Sequence, residues 1–439
     1  MNRIKKLLLL LGVTVLLLTG CNVQAVNEMY CLPKRSEEYN NLQAEIDKAM
    51  GGLEYSAPLS GEHQQTVQMA DLTGDGNHEY ILFAKGSAEK PLQILIFSNA
   101  EGQVSLLDTI ECSGTAFDQV EYVAMDGRAG MEMVVGCQVS DQVLRSVTVY
   151  SVSRGQVEQK MTANYSKFLC SDLDRNGRSE LMVFCPDEAD ASGGVAEIYT
   201  ITSGNVERSA EIPMSGSADR IKRIMTGKLQ DGVAAVYVAS EVDGSAIVTD
   251  IFAMVDGTFT NVTLFNESGT SVETLRNYYV YADDIDDDGV LELPSLINMK
   301  TMEATESEDQ YLIRWYSMNS DGSVEIKKCT YHNFVGGWYM ELNSGYAEHY
   351  VVTQQGSSYE FSMWNMDGTQ LQRLMTVYVL TGQKREEQAL TNNRFVLYRN
   401  ESTIYAASLE VASAAYDMTQ ESIISSFQLI VQDWYTGLI

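Results

Sequence analysis

Asp71-Leu72-Thr73-Gly74-Asp75-Gly76-Asn77-His78-Glu79, Asp172-Leu173-Asp174-Arg175-Asn176-Gly177-Arg178-Ser179-Glu180 and Asp284-Ile285-Asp286-Asp287-Asp288-Gly289-Val290-Leu291-Glu292 are three stretches of one design. Each places oxygen-bearing side chains at positions 1, 3 and 5, glycine at 6 and glutamate at 9. Each runs into a strand-like segment: Tyr80–Phe83, Leu181–Phe184 and Leu293–Ile297. A hard cation such as calcium takes six to eight oxygens at about 2.3–2.6 Å. Alternate residues of a tight loop can point inward together, the glycine permits the sharp turn, and the ninth residue closes the shell from the start of the strand. Position 7, occupied by Asn77, Arg178 or Val290, can add a backbone carbonyl.

The pattern resembles the calcium loops of FG-GAP/VCBS-type repeats, the blades of integrin-like β-propellers. It carries the metal-loop half of that signature, without an evident phenylalanine–glycine half. An EF-hand would instead place its glutamate at position 12 between two helices. The resemblance implies up to three structural Ca2+ ions. Their ligands would be Asp71, Thr73, Asp75, Asn77 and Glu79 in the first loop and Asp172, Asp174, Asn176, Arg178 and Glu180 in the second. The third would use Asp284, Asp286, Asp288, Val290 and Glu292. Side-chain charge at positions 1, 3, 5 and 9 is greatest in the third loop, which should fill first. The competing reading is three Asp-Gly turns of surface hairpins.

The first two loops start 101 positions apart and the last two 112. Each interval suits two units of about 50 residues, near the length of known propeller repeats. Weaker copies lie midway, at Met125-Asp126-Gly127 through Glu132 and at Lys228 through Asp231-Gly232. Both keep the turn and the following strand but lack the alternating carboxylates, so no metal is expected there. Four short strands follow from Glu79 to Met125, as a blade requires. The expected fold is mainly β: a β-propeller of about five four-stranded blades at residues 61–331, followed by a small α+β domain at 332–439. Six blades or a β-sandwich are the alternatives. Residues Gln65–Leu72 are positioned to complete the last blade and close the ring.

Beyond Glu292 no further metal loop occurs, and from about Phe334 the chain reads as hairpins. Ile423, Ile424, Phe427, Ile430, Val431 and Trp434 then fall on one face at helical spacing, with Asp417 or Thr419 as N-cap. Trp315, Trp338, Trp364 and Trp434 all lie beyond the fourth unit and read as core and interface packing.

The N-terminus supplies an address. Basic Met1–Lys6 precedes the apolar run Leu7–Leu18, about half of the roughly 20 residues a spanning helix needs. Leu18-Thr19-Gly20-Cys21 follows at once and resembles the lipobox of bacterial lipoproteins. That implies a signal peptide at 1–20, lipidation of Cys21, and attachment to the outer face of the cell membrane through an N-terminal diacylglycerol. Residues 21–60, with a helix over Ser36–Met50, read as tether and spacer. Six further cysteines (Cys31, Cys112, Cys137, Cys170, Cys185 and Cys329) form no CxxC, and 15 pairings are open.

A formal charge of −30, from 60 acidic and 30 basic residues, repels phosphate backbones and argues against nucleic-acid binding. His63, His78, His332 and His349 form no HExxH, and neither a Gly-x-Ser-x-Gly elbow nor a glycine-rich phosphate loop is present. No catalytic residues are assigned. The expected function is non-enzymatic recognition of an extracellular protein, peptide or glycan. A structural subunit of an envelope complex and an envelope hydrolase are the alternatives.

Overall fold

The computed structural model describes residues 37–430, apart from 101–102, 140–143, 154, 188–192, 265–268, 270, 278–279, 300–310, 366–367 and 369. The lipobox, Cys21, Cys31, Val431 and Trp434 lie outside the described residues.

Six antiparallel sheets of four or five strands follow one another along the chain, the succession of propeller blades. The first holds Glu54–Tyr55, Val67–Ala70, Glu79–Lys85, Leu92–Ala100 and Gln103–Cys112. Ala116–Val123, Glu132–Gln138, Arg145–Ser153 and Gln156–Tyr165 make the second. Lys167–Ser171, Glu180–Pro186, Gly194–Thr202 and Asn205–Met214 make the third. Ile221–Lys228, Ala234–Val242, Ala246–Val255 and Thr258–Asn261 make the fourth. These three pair strictly in chain order, because short turns leave each strand beside its predecessor. In the first four sheets the strand containing or aligned with Glu79–Lys85 is almost wholly buried, reading Tyr80-Ile81-Leu82-Phe83 or Leu181-Met182-Val183-Phe184. The last strands of the first and third sheets alternate apolar and polar residues instead, as Asn205–Met214 does, because one face meets water.

Neighbouring sheets pack face to face through separate apolar clusters. Phe83 and Ile94 meet Phe117 and Val135 between the first and second. Val134 and Val149 meet Phe168 and Val183 next. Phe184 meets Phe252 between the third and fourth, and Ile251 meets Tyr316 between the fourth and fifth.

Five sheets lie where the repeat spacing put them, and the C-terminal region supplies a sixth. The fifth sheet is Leu293–Asn298, Tyr311–Met318, Val324–Asn333 and Trp338–Leu342, with Phe427–Leu429 added at its edge. Val324–Asn333 therefore runs through the expected domain boundary at 331/332. Tyr350–Gln355, Ser358–Trp364, Leu371–Thr381, Thr403–Leu409 and Phe395–Arg399 form the sixth sheet. It packs on the fifth through Trp338, Phe361, Tyr350 and Phe427. Trp315 and Trp338 are fully buried, as core packing requires.

Three local expectations are corrected. Val67–Ala70 pairs within its own sheet, Val67 opposite Leu82, and does not complete the last one. The eight residues after it, Asp71–His78, are a hairpin connection, which holds the two flanking strands side by side. Among the described residues no apolar cluster joins the sixth sheet to the first. Helix α1 (Glu37–Met50) is a cover for the first sheet, not a free spacer: Ile46 and Leu42 pack on Leu82 and Phe97. The C-terminal helix is shorter than its apolar spacing suggested. A capping box on Thr419 starts α3 (Gln420–Ser426), α2 being Arg385–Ala389. Phe427 then turns extended and pairs opposite Met340, because an open sheet edge offers the backbone better partners than another helical turn.

Candidate metal centres at the blade hairpins

All three acidic loops join two paired strands or bridge residues in one register. Ala70 pairs with Glu79, Ser171 with Glu180 and Asp283 with Glu292. Each glutamate thus sits at the first rung of the ladder, and each is buried, at 2%, 2% and 0% exposure. A buried carboxylate needs donors. The N–H of the apolar position-2 residue supplies one: Leu72 N to Glu79 Oε2 at 2.8 Å, Leu173 N to Glu180 Oε2 at 2.8 Å and Ile285 N to Glu292 Oε2 at 3.1 Å. Position 1 ties down the turn itself. Asp172 accepts from Asn176 N (3.0 Å) and Gly177 N (2.9 Å), and Asp284 from Asp288 N (3.0 Å) and Gly289 N (2.8 Å). Gly76, Gly177 and Gly289 hold φ of +85°, +82° and +81°, a backbone that side chains rarely adopt.

Two of the loops gather carboxylates. Oxygens of Asp172, Asp174 and Glu180 lie within 4.8 Å of one another, and so do those of Asp284, Asp286 and Glu292. Either set could hold a metal ion. In the Asp284 loop Glu292 Oε1 and Asp286 Oδ1 are buried without a hydrogen-bond partner, a costly arrangement that a cation would relieve. Burial raises the Glu292 carboxyl to about 7, opposed by the Ile285 N–H and reinforced by Asp286, Asp288 and Asp284. Glu180 is raised to about 7 in the same way, burial first, then Asp174 and Asp172 against the Leu173 N–H. Lys328 Nζ donates to the Ile285 carbonyl at 3.1 Å and Lys327 stands 4.0 Å from Asp288, which moderates the negative field of the third loop.

The Asp71 loop differs. Thr73 at position 3 donates its hydroxyl to Glu79 Oε1 (3.3 Å), and Asp71 takes Gly74 N and Gly76 N at 2.7 and 3.0 Å. Its glutamate therefore already has partners for both oxygens, and no set of three acidic groups is gathered there. Asp75 is engaged with Asn77 N at 2.7 Å. Of the assigned ligands, Asn176 holds Asp174 Oδ2 through its amide (2.7 Å), Asp288 Oδ1 accepts from Val290 N, and the Arg178 side chain turns back onto Asn176 Oδ1.

The weaker copy at Met125–Glu132 is a fourth loop of the same register, in the second sheet. Val123 pairs with Glu132, the same nine-residue offset. Glu132 Oε2 accepts from Met125 N at 2.8 Å, and Oε1 from the Ser151 hydroxyl at 3.4 Å. Ala124 replaces the first acid, and position 5 is Arg128, whose Nε lies 3.2 Å from Asp126 Oδ2. The loop carries its own cation. The signal available in the sequence was glutamate at 9 with an apolar residue at 2, rather than the alternating acids. In the fourth sheet the turn is shorter, Lys228 pairing with Ala234, and Leu229 N bonds to Val233 O.

These turns also hold one another. Met131 N donates to Asp71 O (2.9 Å), Ser179 N to Ala124 O (2.7 Å) and Leu291 N to Lys228 O (3.2 Å). In the first two cases position 8 of one loop bonds to the first carbonyl of the preceding one, and in the third to Lys228, the last rung before the shorter turn. Gly130 is required at the first joint, since a Cβ there would lie 2.5 Å from Leu72 O. A cation in any loop would therefore act on the seam between two sheets.

A second buried polar cluster lies beside the fourth sheet. Asp250 is fully buried and accepts from Ser215 N (2.9 Å), Ser215 Oγ (2.6 Å), Ser271 Oγ (2.9 Å) and Asn261 Nδ2 (2.8 Å). Nearby, Arg276 binds the Val280 and Thr274 carbonyls and Thr249 Oγ1, with burial pushing it down to about 10. These groups satisfy the irregular chain between the fourth and fifth sheets.

No family model matches the chain, and no curated protein matches it in sequence. Among solved structures it is similar to the exotype rhamnogalacturonan lyase YesX, at 11% identity and a TM-score of 0.26, over 73% of this chain and 62% of the lyase. Rhamnogalacturonan lyase YesW aligns at 12% identity and 0.27, over 73% and 74% of the two chains. TolB from Acinetobacter baumannii aligns at 12% identity and 0.25, over 76% and 68%. The chain thus spans less than two thirds of YesX. At such values the likenesses add nothing about activity, and the mainly β, blade-by-blade architecture rests on the six sheets themselves.

Proposed function

We propose that this chain is a calcium-stabilised, lipid-anchored binding protein on the extracytoplasmic face of a bacterial membrane, recognising an extracellular protein, peptide or glycan without turnover. The observation that carries the cation is the orphaned pair Glu292 Oε1 and Asp286 Oδ1 beside Asp284. Oxygen-only ligands favour calcium over zinc, which prefers nitrogen and sulfur. The placement supports a scaffold role: the acids are tied into turns by backbone N–H groups and stand on seams between sheets. The Leu18-Thr19-Gly20-Cys21 motif supports the anchor.

Pull-down from a cell-surface extract by the purified protein, with calcium and with chelator, tests the binding role. Specific capture lost on chelation is expected. Turnover of envelope glycans that a single carboxylate substitution outside the loops abolishes would overturn the non-catalytic reading. For the anchor, Cys21→Ala should leave the protein unlipidated and absent from membranes as a processed form. A variant still recovered there with lipid attached would exclude the lipobox.

A further inference from the structure

We propose that Cys112 and Cys137 form a disulfide that staples the first sheet to the second. Cys112 ends the strand Gln103–Cys112 of the first sheet, and Cys137 lies in Glu132–Gln138 of the second. Both are buried in the apolar cluster between those sheets. Both are free thiols here and share that cluster with Tyr150, whose Oη is 3.6 Å from Cys112 Sγ. The backbones that carry them are in contact. At Gly114 a Cβ would stand 2.6 Å from the carbonyl oxygen of Gln138, next to Cys137, and 3.3 Å from Leu92, the ladder partner of Cys112. Thr115 N donates to that same Gln138 oxygen at 2.7 Å. The two segments are thus held together just after each cysteine, which favours the close approach a disulfide needs. Cys170 and Cys185 instead lie on adjacent strands of the third sheet opposite Leu181 and Val195, and Cys329 is in the core between the fifth and sixth.

One of the two thiolates attacks one sulfur of an external disulfide, either a low-molecular-weight one or that of a dithiol oxidoreductase, and expels the first thiolate. The other cysteine, giving up its proton, then attacks the protein sulfur of the mixed disulfide and expels the second. Two protein thiols are oxidised and one external disulfide is reduced to two thiols. The pair is buried, so this exchange precedes closure of the core. Glu132–Gln138 would then be fastened at both ends, by Met131 N on Asp71 O at one and by the disulfide at the other.

The full chain, reduced and denatured, is refolded in a glutathione redox buffer, alkylated in denaturant without reductant, digested and weighed. The expected product joins the Cys112 and Cys137 peptides and is two hydrogens lighter than the sum of the free-thiol peptides, with Cys170, Cys185 and Cys329 alkylated. Alkylation of both Cys112 and Cys137, or either joined to a different cysteine, overturns the proposal. Reductant should lower the melting temperature of the oxidised wild type by roughly 5 °C. The double variant Cys112→Ser/Cys137→Ser should show no such fall, and an equal response in both proteins also overturns it. The outcome does not depend on the calcium or anchor readings.

Discussion

The Glu292 hairpin and the Glu132 hairpin share a backbone and differ in chemistry. Both set a buried glutamate at the first rung of a ladder and satisfy one of its oxygens with the N–H seven residues earlier. At Glu132 the second oxygen finds the Ser151 hydroxyl, and Arg128 balances Asp126. At Glu292 the second oxygen finds nothing, with three aspartates close by. The glutamate is therefore first a device for closing the turn. It becomes a candidate ligand where neighbouring acids gather in place of an internal cation, most plainly where an oxygen is left unpaired.

Four measurements test that contrast. The largest effect should come from metal. Calcium at 100 times its dissociation constant should stabilise the folded chain by about 2.7 kcal/mol per site, because it binds the folded state alone. Asp286→Ala should abolish most of the calcium-dependent rise in melting temperature attributable to its loop. Superimposable wild-type melts in calcium and in chelator would remove the metal assignment.

Glu132→Ala strands the Met125 N–H and the Ser151 hydroxyl in the core, and should cost about 1–3 kcal/mol in urea denaturation. Its loss should be the same with calcium and with chelator. A calcium-dependent loss would place a metal in the second sheet as well.

The next effect is on pH. Glu292 has its folded value raised to about 7 from an ordinary 4.5. The metal-free fold binds this proton more tightly than the unfolded chain does, so its contribution is fully present below 4.5 and is lost as pH rises through 7. Melts in chelator should therefore fall over that window, whereas the gain from calcium should grow as the carboxylate ionises. Glu292→Gln should flatten its part of both slopes, and unchanged slopes would assign them elsewhere.

The smallest effect belongs to Asp126→Ala. Its partner Arg128 is 61% exposed, so the pair is worth about 1 kcal/mol or less. The variant should leave the calcium response untouched, which makes it the control for Asp286→Ala.

Much of this molecule is written locally. In the three acidic loops glycine at position 6, an acid at 1, an oxygen side chain at 3 and an apolar position 2 specify the hairpin, because the turn's own N–H groups and side chains complete it. The repeat interval and the buried runs Tyr80–Phe83 and Leu181–Phe184 specify successive blades, since a strand covered on both faces needs sheets on both sides. Pairing over longer distances was not legible. Whether Val67–Ala70 joins its own sheet or the last one depends on which edge is free, and Phe427 leaves its helical spacing for an edge that exists only once the fifth sheet has formed. The same limit applies to the acids. Asp71, Asp172 and Asp284 look alike in sequence, but only the folded chain decides that Thr73 occupies Glu79 while Glu292 keeps an oxygen unpaired, because that depends on where each side chain finds its donor. Six cysteines likewise left 15 pairings open, and the meeting of Cys112 with Cys137 arises from the packing of two sheets against each other.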